Sequence, residues 1–446
     1  VTPVDFIPQF GNLLYTFVAF VAALSVIVAI HEYGHYIVGR WSGIKAEVFS
    51  LGFGPVVWSR RDRRGTQWQI AAIPLGGYVK FLGDANAASA KADEATMAAL
   101  SPEERRHTIH GAPLWARAAT VAAGPLFNFI LSMVIFAGFS MVYGVATPEP
   151  TVARVYALPA GPGEIRPGDR ILAIDGVPTP DYTALNALLD GGPVSATRSY
   201  TVLRDGAEIT VSGPALMPGR VSGVQPGSAA QEAGLRRDDV VLSVDGKPLV
   251  VFDQLRQAVA ASGGKPVALE VWRAGEVRQV TLTPKSTDDL KADGSFETRY
   301  MIGVAADMFF EPVTRTAGPV ESLGIAAGQV KFVMSSSLSG LWHVVTGAIS
   351  SCNVRGPVTI AKTSAAAASA GLKDFVWFIA AMSTAIGLLN LFPIPMLDGG
   401  HLVFNLIEWT TGHAPSGRIL NALMVAGLFV VLSFMTFGLT NDFLCP

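Results

Sequence analysis

The chain has 446 residues, half of them apolar and only 15% charged, with a formal net charge of −2. Soluble domains carry about 25% charged residues, so this composition argues against an ordinary soluble protein, and the near-zero net charge gives no basis for nucleic-acid binding. A membrane part with appended domains fits both the length and the composition.

About 20 apolar residues cross a bilayer as a helix, and four stretches qualify. The first, Leu13 to Val38, reads as a span rather than a cleavable signal peptide, because no basic region precedes it and no cleavage-type sequence follows. It contains His31-Glu32-Tyr33-Gly34-His35. The polar loop that follows carries Arg60, Arg61, Arg63 and Arg64, then Trp68 to Phe81, WQIAAIPLGGYVKF, which reads as strand, Pro/Gly break and strand. The second span lies between Arg117 and Glu149. Ala123-Gly124-Pro125 and Asn128 sit early in it, and small residues there read as close helix packing. The third span is Phe375 to Leu397 and the fourth Ile419 to Asn441. Between the second and third spans, Phe332 to Ser351 is less apolar and reads as an amphipathic surface helix, with a buried helix as the other reading. Cys352 and Cys445 are too few for a disulfide framework, and there is no CxxC motif.

Lys and Arg excess near span ends marks the cytoplasmic side. The arginines between the first two spans therefore put that loop inside the cell and, by parity, the long 150–374 segment outside. That segment holds an internal repeat. Ile165 to Pro178, IRPGDRILAIDGVP, aligns without gaps with Leu235 to Pro248, LRRDDVVLSVDGKP. Each unit is a strand, a D-G turn, a helical stretch and a strand–turn–strand ending. The units resemble PDZ domains of bacterial proteases, most specifically at Gly223 to Ala230 and Ala233-Gly234-Leu235. PDZ domains bind extended peptide by strand addition, and a simple spacer is the other reading.

His31 and His35 are four residues apart and return to one helix face, where two imidazoles can grip one metal with Glu32 beside it. A His/His/carboxylate set with an open position points to zinc. Three ionisable residues inside a span are costly and functional by default; an interfacial helix end that tolerates them is the competing reading. A third ligand is needed. The third span ends Asn390-Leu391-Phe392-Pro393-Ile394-Pro395-Met396-Leu397-Asp398-Gly399-Gly400-His401, on the same side as His31 by the topology. Its prolines and glycines break the helix, and Asp398 and His401 are both plausible ligands by chemistry.

With HExxH at 31–35 and N-x-x-P-x-x-x-x-D-G at Asn390, Pro393, Asp398 and Gly399, the chain resembles the site-2 protease family of M50-type intramembrane zinc metalloproteases over nearly its whole length. The resemblance implies that His31, His35 and Asp398 bind Zn2+, that Glu32 is the catalytic acid/base, that Asn390 and Pro393 lie at the substrate, and that His401 is structural. It also implies that Trp68–Phe81, with Gly76 and Gly77 at its break, is a hairpin dipping into the membrane, whose free edge holds an unwound substrate; a soluble cytoplasmic hairpin is the other reading of these residues. Asn353 to Lys362, NVRGPVTIAK, matches the family without an assignable chemistry.

The expected fold is thus a polytopic α-helical membrane protein of four transmembrane helices, with a membrane-associated β-hairpin and two tandem α+β PDZ domains. The division is 1–40, first transmembrane helix; 41–113, cytoplasmic loop with the reentrant hairpin; 114–148, second helix; 149–218 and 219–287, PDZ domains; 288–373, linker and amphipathic helices; 374–400, third helix; 401–418, cytoplasmic loop; 419–446, fourth helix and C-terminus. The expected setting is a bacterial inner membrane, with the active site toward the cytoplasm and the PDZ domains in the periplasm. The expected partners are the lipid bilayer and a single-span, anti-sigma-factor-like substrate already shortened by another protease. A membrane chaperone or adaptor with a structural metal site is the alternative, and intact Glu32 argues against it. A metal transporter would show repeated membrane halves, and the spans show none.

Overall fold

The computed structural model describes residues 3–85, 93–189, 194–290 and 296–445. Two compact units form, one from Val1–Gly138, Pro319–His343 and Val354–Cys445, the other from Phe139–Gly318 and Val344–Asn353.

The first unit opens with α1 (Pro3–Trp41), followed by β1 (Ala46–Arg61), β2 (Gln67–Phe81), the short helices α2 (Glu94–Ala99) and α3 (Pro102–Arg105), and α4 (Leu114–Val142). β1 and β2 are long enough to pair twice. Leu51 lies opposite Gly77 on one side and Ile70 on the other, while Arg61 pairs with Gln67. Two long strands thus fold into four segments, in the order 77–81, 46–51, 67–71, 56–61. β1 bends at Gly52 and Gly54, whose φ values of +88° and +83° suit glycine. Tyr36, Phe49, Val79, Phe81 and Ile109 form the core beneath this sheet.

In the second unit, β3 (Val145–Ala146) and β4 (Val152–Val155) lead into the first repeat: β5 (Arg170–Ile174), β6 (Val177–Pro178), α5 (Tyr182–Ala187), β7 (Thr197–Arg204) and β8 (Ala207–Pro214). The second repeat follows: β9 (Val221–Val224), α6 (Ala229–Glu232), β10 (Val240–Val244), β11 (Lys247–Pro248), α7 (Phe252–Ala261), β12 (Val267–Arg273), β13 (Glu276–Leu282), β14 (Lys285–Leu290) and β15 (Phe296–Met301). Each repeat has a four-stranded sheet, ordered β6-β5-β7-β8 and β11-β10-β12-β13. The residues that recur in register explain the likeness. Asp175 and Asp245 both have φ +49° in their D-G turns, the left-handed geometry of a tight hairpin. Asp169 accepts the Arg166 backbone N–H at 2.8 Å, as Asp239 does that of Arg236. Arg204 and Arg273 each clamp the same carboxylate with two nitrogens.

The stretch from 288 to 312 differs from the linker expected there, residues 291–295 of which lie outside the described residues. After β15 come β16 (Val304–Ala306), β17 (Phe310–Pro312) and β18 (Thr314–Arg315). β16 pairs with β9 of the second repeat, but β17 pairs with β4 of the first, and β18 with β3. Phe309 and Phe310 are buried in the first repeat's core with Val152, Ile174 and Tyr200. The second repeat is therefore nested inside the first. Sequence periodicity gave no sign of this, because short strands completing a sheet from a distance carry no repeat of their own.

Burial alone would raise the Asp169 carboxyl; the Arg204 guanidinium and the Arg166 amide outweigh that and hold it below the usual carboxylate range. Its stabilising effect is therefore full above the unfolded value near pH 4 and fades as pH falls through the lower folded value. Asp169→Asn is expected to destabilise the first repeat, because the Arg204 guanidinium loses the charged carboxylate that it clamps with two nitrogens. Faster amide hydrogen exchange in β5 and β7 of the full chain checks this, and unchanged exchange would refute it.

The first unit resumes with α8 (Pro319–Val345), α9 (Pro357–Ala370), α10 (Leu372–Asn390), α11 (Asp398–Thr411) and α12 (Gly417–Leu444). Among the described residues four helices are long and apolar enough to cross a membrane: Leu13–Trp41, Leu114–Val142, Leu372–Asn390 and Gly417–Leu444. α8 begins well before the expected 332 and buries Ser322, Ala326 and Val330, the latter two against Phe136, Ala137 and Ala380. The NVRGPVTIAK stretch acquires a role as well. The Gly356 and Val358 N–H groups donate to Asp442 near the end of α12, capping the N-terminus of α9.

Candidate metal centre

The last third of α1 carries His31, Glu32 and His35. Against it packs α4, so closely that a Cβ on Gly34 would lie 2.5 Å from the Ala123 carbonyl oxygen. This approach brings α4 polar groups onto the histidines. His35 Nδ1 donates to the Thr120 carbonyl at 2.9 Å. The Asn128 amide lies 3.2 Å from His31 Nδ1. With both Nδ1 atoms turned to α4, both Nε2 atoms face the same point.

Asp398 reaches that point from the other side. α10 stops at Asn390, the Pro393/Pro395 turn redirects the chain, and α11 begins at Asp398. Gly399 and Gly400 make the tight turn possible: a Cβ on either would lie 2.3 Å or less from a carbonyl oxygen of residues 391–394. The far end of α11 is tied to the start of α4 by the Glu408–Arg117 ion pair. Asp398 Oδ2 lies 3.1 Å from His31 Nε2, and Oδ1 3.5 Å from His35 Nε2. The two Nε2 atoms are 3.2 Å apart.

Among the described residues His31, His35 and Asp398 are the one group able to hold a metal ion, their donor atoms all within 4.8 Å of one another. Asp398 Oδ2 is buried without a hydrogen bond. Three lone-pair donors converging in a buried place repel each other unless a cation lies between them, so the set fits zinc. The amide of Asn128 agrees. Nε2 can bind a metal only if Nδ1 carries the ring proton. Asn128 must then accept through Oδ1, the atom otherwise buried without a partner; exchanging amide O and N gives the His31 ring N–H its acceptor. Asn128→Ala is expected to weaken zinc binding about 10- to 100-fold, measured by competition with a chelator, whereas Asn128→Asp, still an acceptor, retains it.

A cavity of about 370 Å³ opens at this point, lined by His31, Glu32, His35, Gly77, Asn390, Asp398 and His401 among others. His401, an alternative ligand by chemistry alone, lines it outside the donor group. Gly77 belongs to the sheet segment 77–81 and comes so close that a Cβ there would be 3.2 Å from Glu32 Cγ. Tyr78 and Val79 of the same edge also line the cavity. Of the four residues expected at the substrate, Gly77 and Asn390 face the cavity. Gly76 packs instead against the Phe53 ring, and Pro393 is exposed in the turn. Thr120 escaped the sequence reading, and Gly124 and Asn128, which it names, were read there as helix packing. The available signal was Asn128, a polar amide in an apolar span.

The sequence profile of Peptidase family M50 matches residues 19–434. A protein of Rhizobium meliloti, named as a zinc metalloprotease, is 34% identical over 97% of this chain and 97% of its own length. Proteins named regulator of sigma-E protease RseP, in Salmonella typhimurium and in Escherichia coli K12, are each 33% identical over 97% of this chain and 99% of theirs.

Proposed function

We propose, on the premise that this chain belongs to peptidase family M50 and is a zinc metalloprotease of the membrane, that it hydrolyses peptide bonds within or beside the transmembrane helix of single-span membrane proteins. The observation that carries this reading is the meeting of three metal donors, Glu32 and a free strand edge at one cavity among apolar helices.

His31, His35 and Asp398 would hold the zinc, which when bound supplies a Lewis acid that polarises a carbonyl and lowers the pKa of water. Glu32 takes a proton from the attacking water and passes it to the leaving amine. A substrate helix hides its peptide bonds in internal hydrogen bonds and must unwind before attack. The 77–81 edge is placed to pair with the unwound segment, and Gly77 lets that backbone approach Glu32. Asn390 would hold the substrate from the opposite wall.

The two repeats act as PDZ modules that exclude bulky ectodomains, bind a shortened end, or both. In the second, a groove of about 470 Å³ between α7 and β15–β16 is lined by Phe252, Leu255, Val259, Ile302 and Val304, apolar enough for a peptide side chain. Anti-sigma-factor-like proteins are the proposed substrates, supported by relatives named as regulators of sigma-E. The proposed setting is a bacterial inner membrane, with the catalytic end of α1 cytoplasmic.

The test is cleavage of a model single-span protein by the full chain in liposomes, with the cut located by mass spectrometry. Cuts inside the span, lost to a chelator and restored by zinc, are expected. Cuts confined to soluble substrates would overturn the intramembrane reading.

A further inference from the structure

The double-stranded excursion formed by β1 and β2 has two faces of different chemistry. Near its bends the exposed side chains are apolar: Phe53, Val56, Val57, Ile73 and Leu75, with Val57 72% exposed. An apolar groove beside Ala29, Ile30 and Tyr33 of α1 is continuous with Trp58 and Ile70. This part of the sheet thus runs back along α1, level with the apolar helix. The turn between the strands is different. Arg60, Arg61, Arg63 and Arg64 are all exposed, and Trp58 and Trp68 flank a cleft of about 410 Å³ that three of them line.

The turn lies level with the end of α1, because Asp62 accepts from Tyr36 Oη at 3.3 Å and Arg40 donates to the same hydroxyl at 2.5 Å. Arg40 and Trp41 complete that level. Asp62 does not neutralise the arginines. Its Oδ1 accepts the Arg64 and Thr66 backbone N–H groups, and its Oδ2 the Trp68 indole N–H. Among the described residues none of the four arginines is in an ion pair. The order is therefore an apolar zone, then tryptophans, then uncompensated guanidinium groups. That is the order of a leaflet crossed from acyl chains through interface to phosphates.

We infer that the 60–64 turn is a docking surface for anionic phospholipid headgroups, seating the β1–β2 sheet at a fixed depth in the leaflet beside Glu32. Guanidinium groups pair bidentately with phosphate oxygens, and each basic residue at such a surface contributes on the order of a five-fold factor in binding. Bilayer lipid, not free phosphate, is the occupant, since the apolar zone demands acyl chains next to the charge.

The test uses the full chain in detergent, titrated with phosphatidylglycerol or phosphatidylcholine and read by native mass spectrometry, which is independent of any proteolysis. Wild type is expected to bind phosphatidylglycerol at least about ten-fold better than phosphatidylcholine. The R60Q/R61Q/R63Q/R64Q variant loses this preference, the fourfold lysine variant keeps it, and R236Q/R237Q in the second repeat leaves it unchanged. An undiminished preference in the glutamine variant, or none in wild type, overturns the proposal. So does full displacement by inorganic phosphate, which would make the turn a plain anion site.

Discussion

Glu32→Gln is expected to lower peptide-bond cleavage by about 10²- to 10⁴-fold while leaving zinc content unchanged. The separation follows from where Glu32 stands. It lies between His31 and His35 in sequence but is outside the converging donor group of His31, His35 and Asp398. Glutamine has the same shape and can still hydrogen-bond, so neither the α1–α4 packing nor the closeness to Gly77 changes. What it cannot do is accept and return a proton, a contribution of about 10² to 10⁴ when the group is well placed. Cleavage of a model substrate together with atomic-absorption zinc analysis checks both halves. Substantial activity in the glutamine variant would give the proton transfer to another group.

The second large effect is expected at a residue with no chemistry of its own. In Gly124→Ala the added methyl would lie 2.3 Å from His35 Nε2 and 2.8 Å from His31 Cε1. The α1–α4 approach is already so close that a Cβ on Gly34 would lie 2.5 Å from the Ala123 carbonyl oxygen, so the crossing leaves no space between the helices for the added methyl. The rings must rotate away from Asp398. Zinc affinity should then fall by at least about 100-fold, beyond the loss for a hydrogen-bonding neighbour. Gly138→Ala on the same helix is the control, because a Cβ there meets nothing within 4 Å and alanine favours helix. Equal zinc affinity in the two alanine variants would show that the close approach does not govern the site.

The converging donor group was only partly legible in the sequence: His31 and His35 obey helix spacing, a local pattern, whereas the broken end of the third span offered Asp398 and His401 alike. The four spans were legible because bilayer thickness imposes a long apolar run. Gly124 and Asn128 were visible as residues but not as neighbours of His35 and His31, since only the α1–α4 crossing creates that contact. The double pairing of Leu51 was equally hidden: a hairpin reading assigns each strand one partner, and the fold of β1 at Gly52 supplies the second. His401 shows the converse. Chemistry alone made it a candidate ligand, and helix geometry turned it to the cavity wall while Asp398 took the donor place.

Synthesis meets an obstacle in the nested repeats. The chain is made from its N-terminus, so β4 to β8 emerge before the second repeat, yet the core around Val152 and Tyr200 lacks Phe309 and Phe310 until roughly a hundred residues later. Each missing ring withholds about 1.5–3 kcal/mol of burial. The first repeat must therefore wait, open on one side, while the second is made and folded. A nascent chain halted before residue 309 should carry a finished second sheet and a first that proteases still cut. Translocation and folding are in that way ordered by topology, with the repeat encoded first completed last.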